Sequence, residues 1–160
     1  MKPFTAILLS LTLLIGCAST PPPPTGGNRF ELRPLLKGDP LASKYEDAAG
    51  EIVPLGDPII TNKAVERIQM KKISEDRYDV LLNYRGPEAV HWKSWARRRV
   101  GSEVALVVGT TVRKVFTVTT PEDADLVVIT IESVAKSQPE ADEIEKGMRK
   151  PRPEPAQESQ

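Results

Sequence analysis

Pro87-Glu88-Ala89-Val90-His91-Trp92-Lys93-Ser94-Trp95-Ala96-Arg97-Arg98-Arg99-Val100, followed by Gly101 and then by Val104-Ala105-Leu106-Val107-Val108, is the stretch that decides the fold class. Ala89, Trp92, Ala96 and Val100 recur at spacings of three and four and give one apolar stripe of a helix. Pro87 suits a first helical turn, where its missing N–H does no harm. Arg97, Arg98 and Arg99 stand at the C-terminal end, where the helix dipole favours cations. Gly101 is placed to cap it. The unbroken apolar run Val104–Val108 then reads as a central strand.

Downstream, Gly109-Thr110 makes a turn. Thr111–Thr119 is the next strand, with Val112, Phe116 and Val118 in phase. Pro121–Asp125 is an acidic loop, and Leu126–Ile131 another strong strand. Ser137-Gln138-Pro139-Glu140 matches a capping box, with Ala141, Ile144 and Met148 following at helical spacing. Upstream, Tyr78, Val80, Leu82 and Tyr84 alternate along Tyr78–Tyr84. Val65–Ile73 suits a half-exposed strand with Ile68 and Met70 on one face, and Ser74–Arg77 joins the two as a hairpin. Further back, Ile52–Leu55 is a short strand whose Pro54 makes it an edge or a connector. Lys37–Gly50 reads as a polar loop with a helical hint at Leu41–Ala49, and Phe30–Leu36 has strand character broken by Pro34. From Val65 onward the order is β-β-α-β-β-β-α. It predicts an α+β fold with two helices on one face of a mainly antiparallel sheet.

The first residues, Met1–Gly16, read as a secretory signal. Lys2 opens it, and the apolar run Ala6–Ile15 is too short for a span of roughly 20 residues. Leu14-Ile15-Gly16-Cys17 resembles the bacterial lipobox. That resemblance implies cleavage before Cys17 and acyl chains on it, with an ordinary signal peptide before a free cysteine as the alternative. Two or more acyl chains give stable membrane anchoring. Ala18 after the cysteine implies, by the same resemblance, the outer membrane if the source is Gram-negative. Residues 17–28 carry Pro21–Pro24, Gly26 and Gly27 and read as a tether, extended in its proline part. Residues 29–56 are expected to be a mostly irregular extension, 57–148 the α+β domain, and 149–160 a disordered tail.

The composition excludes several functions. The 22 basic and 22 acidic residues balance, and removing Lys2 with the signal leaves 21 against 22, so the basic excess of a nucleic-acid binder is missing. With one cysteine and one histidine, a disulfide framework, a Cys-based zinc site and a multi-His site are excluded. No nucleotide-binding glycine motif, P-loop, H-E-x-x-H or G-x-S-x-G is present.

Asp57-Pro58-Ile59-Ile60-Thr61-Asn62-Lys63, with Glu88-Ala89, Trp92, Ala96, Val100-Gly101, Val104–Val108 and Val112, resembles the first periplasmic head of SecD, the export-motor subunit. The resemblance covers residues 54–148 and runs through helix and strand without a gap. Gly109-Thr110 stands where that family has Asp-Gly, and Lys114-Val115-Phe116 where it has Ser-Ala-Pro. SecD also has many membrane-spanning helices, so only its head module is carried over. The resemblance implies a ferredoxin-like arrangement and contact with polypeptides emerging into the periplasm.

The candidate contact residues are Trp95, at the edge of the helical stripe, and Arg97, Arg98 and Arg99, which suit an acidic partner or phosphate groups. A boundary core position for Trp95 and a solvated helix end for the arginines are the plainer alternatives. His91 falls off the stripe and has no evident partner. Glu122-Asp123-Asp125 lacks the glycine and terminal glutamate of a calcium loop and reads as a turn. No catalytic residue, cofactor or metal site is expected. The leading expectation is a membrane-anchored, non-catalytic binding module of the bacterial envelope, touching exported polypeptides or an envelope protein complex through a sheet edge or the Trp95 face. The alternatives are a self-associating scaffold lipoprotein and, least favoured, an enzyme of unknown reaction.

Overall fold

Alternation and apolar runs become nine strands and two helices in a computed structural model, which describes residues 30–63 and 65–149. The signal, the lipobox with Cys17, the tether and residues 150–160 lie outside the described residues. The strands are β1 (Phe30–Pro34), β2 (Ser43–Asp47), β3 (Ile52–Leu55), β4 (Ile60–Thr61), β5 (Arg67–Ser74), β6 (Arg77–Tyr84), β7 (Glu103–Val108), β8 (Thr111–Thr117) and β9 (Val127–Ala135). Helix α1 spans Gly86–Arg97 and α2 spans Gln138–Met148. The α+β class holds.

The sheet is not single. Six strands pair in the order β3-β2-β8-β7-β1-β4, and three in the order β5-β6-β9. All pairings are antiparallel except β2 with β8. The division gives each sheet its own face on a shared core, instead of one sheet with both helices on one side. Residues 29–56, expected to be mostly irregular, carry three strands. β1 pairs with β7 along its whole length and supplies Phe30 and Leu32 to the core. The helical hint at Leu41–Ala49 gives way to β2 and a tight turn. There the Asp47 carboxylate accepts the N–H groups of Ala49 and Glu51, and Gly50 adopts a positive φ. β3, with Pro54, is an edge as expected.

The main core joins both sheets and both helices. It contains Leu32, Val80, Leu82, Leu106, Ile131, Trp92 and Ile144, among others. A smaller cluster lies on the opposite face of the six-stranded sheet: Tyr45, Leu55, Ala105, Val107 and Val112. β7 is central, as expected, and it is buried on both sides, which accounts for its uninterrupted apolar sequence. β8 departs from the expected phase. A bulge between its pairings with Leu106 and Val107 leaves Arg113 unopposed. Val112 then turns to the smaller cluster, while Phe116 and Val118 face the main core.

Helix α1 ends three residues earlier than the pattern predicts. Arg97 is its last residue, Arg98 its C-cap, and Val100 is exposed. Gly101 takes a positive φ beyond the cap and donates to the Val118 carbonyl, turning the chain into β7. At α2 the Ser137 hydroxyl accepts from the Glu140 N–H, and the Glu140 carboxylate accepts from the Lys136 N–H, close to the capping box expected. Ala141, Ile144 and Met148 are buried.

Candidate functional site

The two sheets do not close on each other along one side. β2 pairs with β8 only at Thr111 and Val112, so the outer edge of β8 beyond Val112 has no strand beside it among the described residues. β9 likewise pairs with β6 alone. Between these two edges lies a cleft of about 700 Å³. Lys114, Phe116 and Thr117 of β8 line one wall, and Val128, Thr130 and Glu132 of β9 line the other. Trp92 and the loop from Val118 to Leu126 close one end.

That loop is held against α1 by charge. Asp123 lies 3.2 Å from the Arg97 guanidinium and 3.6 Å from the Lys93 ammonium, and Lys93 also donates to the Ala124 carbonyl at 3.0 Å. The acidic loop thus pairs with the basic end of α1, which explains Asp123 without a metal. Among the described residues no cluster of His, Cys, Asp and Glu could hold a metal ion.

The expected contact residues diverge. Trp95 is half-buried against the main core and stacks on Trp92, with ring centroids 5.7 Å apart. The Arg99 guanidinium lies 5.7 Å from the Trp95 ring centroid, a cation–π geometry. Arg97 faces Asp123. Arg98 is exposed and lines a shallow hollow with Val90, Lys93, Ser94 and Arg97. The three arginines therefore do not form one convergent patch. His91 is exposed on α1 and is not among the residues lining the cleft.

At the far end of β9 a carboxylate shapes the strand. Ser133 has a φ of 53°, a left-handed conformation unusual for a non-glycine residue, and it sits in a bulge opposite Asp79. Asp79 accepts the Ser133 N–H at 2.9 Å and is paired with Arg77. Burial pushes its carboxyl up, but the Arg77 and Ser133 hydrogen bonds outweigh this and hold it below the ordinary aspartate value. Elsewhere, burial pushes the hydroxyl of Tyr84 well above the usual tyrosine range.

A sheet edge was expected from the sequence, but which strands supply it, and the cleft between them, were not, because pairing partners are not encoded in one strand's pattern. One signal was available. Leu126–Ile131 carries no charged residue, although it proves to be an edge.

No family model matches the chain, and no curated protein matches it. Solved structures do. A structure of SecDF, described as a membrane component that enhances protein export, has a TM-score of 0.58 and 20% identity, covering 77% of this chain and 63% of that one. SecDF in a super-membrane-facing form has a TM-score of 0.54 and 16% identity, covering 76% of this chain and 18% of that one. This chain thus spans less than two thirds of either.

Proposed function

We propose that this SecDF-like fold works as a membrane-anchored, non-catalytic binding module of the bacterial envelope, holding exported polypeptides in the cleft between β8 and β9. The observation that carries the reading is the cleft itself. It is open along two sheet edges and offers apolar and hydroxyl side chains beside backbone groups. Such a surface suits extended chain of varied sequence better than one small molecule. The likeness to SecDF supports the export context.

The anchor is read from the residues alone: Cys17 with its acyl chains would hold the module to the membrane through the proline-rich stretch 17–28. The lipobox reading and Ala18 favour the outer membrane if the cell is Gram-negative. Among the described residues no helix is long and apolar enough to cross a membrane.

The test is equilibrium binding of the full chain to a fluorescently labelled protein kept unfolded by reduction and alkylation. Saturable binding at micromolar concentration, weakened by Thr117→Trp in the cleft wall, is expected. Absence of binding at that concentration overturns the reading.

A further inference from the structure

The four outermost edge strands are not treated alike. β3 carries Pro54, which has no N–H to offer, and β4 is two residues long. β5 exposes Arg67, Lys71 and Lys72. Short strands, proline and lysine are the usual means of preventing an edge from pairing with another chain. β9 has none of them from Val127 to Ile131. It is nine residues long, its first five are Val-Val-Ile-Thr-Ile, and Val128 is 46% exposed. Only at Glu132 and the Ser133 bulge does the edge become charged and irregular. A long, flat, apolar edge is normally an aggregation hazard. Here it faces the cleft rather than open surface.

We propose that the Val127–Ile131 edge of β9 is a docking edge for a strand of another polypeptide, which adds to the three-stranded sheet by backbone hydrogen bonding inside the cleft. This deepens the preceding proposal and rests on it. Length and charge define the occupant. The unpaired stretch of β8 opposite, Arg113–Thr117, is five residues, and a five-residue strand is about 17 Å long. The charged groups lining the cleft are Lys114, Glu122 and Glu132, and Glu132 is already within 3.1 Å of Arg77. Arg77 is shared with Asp79, so Lys114 and Arg77 stand against Glu122, Glu132 and Asp79, a net charge of −1 spread along the cleft. So small a net charge suits an uncharged segment and disfavours an acidic one. Alternating β-branched and hydroxyl side chains fit such walls. The chain's own flanks are poorer occupants: Pro21–Pro24 lacks four consecutive N–H groups, and residues 150–160 intersperse proline with Lys150, Arg152, Glu154 and Glu158.

The probe is a labelled, end-capped heptapeptide of alternating threonine and valine, titrated against the full chain. Two isomers are N-methylated at alternate amides, so that each loses the hydrogen bonds of one strand edge. The parent is expected to bind, and at least one isomer to bind on the order of tenfold or more weaker. Thr130→Pro in β9 should give a similar loss. Should that variant misfold, Val128→Lys places a lysine on the same edge at an exposed position. If the parent and both isomers bind equally, strand addition is overturned while polypeptide binding stands. Strand addition is likewise overturned if the unfolded protein binds and the heptapeptide does not. If neither binds, both proposals fall. Self-association in sedimentation that Val128→Lys abolishes would assign the edge to a second copy and overturn the proposed occupant.

Discussion

Val104, Leu106 and Val108 point from β7 into the core shared by both sheets and both helices, whereas Ala105 and Val107 point the other way. Beside Val107 and Ala105 on that second side stand Glu31 and Arg33 of β1, paired at 2.6 Å and 1% and 5% exposed. Arg33 also donates to the Gly56 carbonyl at 2.8 Å and lies over the Tyr45 ring. Burial pushes the Tyr45 hydroxyl up; Arg33 opposes the shift and Glu31 adds to it. One face of the strand is held by apolar packing, the other by packing around a buried ion pair. The same β alternation delivers both, so a strand buried on both faces need not have two alike cores. Apolar packing is tolerant of partners and sensitive to volume. A buried pair is tolerant of being replaced as a unit and sensitive to losing one member.

Breaking that contrast gives the largest expected effect. Arg33→Met should destabilise by about 3–5 kcal/mol, because Glu31 then stays buried without its guanidinium. Glu31→Leu with Arg33→Met should return close to the parent, and denaturant unfolding of the three chains decides it. A double variant as unstable as Arg33→Met would mean the pair does more than balance charge. On the apolar face, Leu106→Ala should lower stability by about 3 kcal/mol through lost burial and a residual cavity. A far smaller loss in the same unfolding assay would show that this face can collapse.

Gly147 sharpens the comparison where α2 crosses Val108. A Cβ built on Gly147 would lie 2.7 Å from the Val108 Cγ1. Gly147→Ala should therefore destabilise by about 1 kcal/mol net, overpacking outweighing alanine's better helix propensity. Val108→Ala in the same chain should relieve part of that coupling, as a double-mutant cycle would show.

The smallest effect lies outside both faces of β7, at Asp79. Its folded carboxyl titrates below the ordinary aspartate value, so its contribution is complete above that value and is lost as pH falls through the lower, folded one. Stability measured from pH 7 down to pH 2 should fall below about pH 4, and less steeply in Asp79→Asn. An identical acid limb in the variant would assign the fall to other carboxylates.

Patterns that depend on one element were readable in the residues. The hairpin of β5 and β6, the capping of α2 and the centrality of β7 follow from alternation, a Ser-x-x-Glu spacing and an apolar run. Patterns that depend on a neighbour were not. Val112 and Phe116 are in phase by count, yet the Arg113 bulge puts them on opposite faces. Val100 completes a helical stripe, yet the chain must already turn at Arg98 to enter β7. Glu31 and Arg33 carry no local sign in the sequence that each is buried against the other.

Residue type and spacing within single segments are enough to make this chain α+β, with apolar stripes on its helices and alternation along its strands, and composition alone gives its balanced charge. Tertiary structure alone decided that the strands divide into two sheets, that residues 30–55 complete one of them, and that the edges of β8 and β9 face each other across an open cleft. Which edges remain unpaired depends on backbone hydrogen bonds between segments far apart in sequence, and side-chain periodicity carries no record of them.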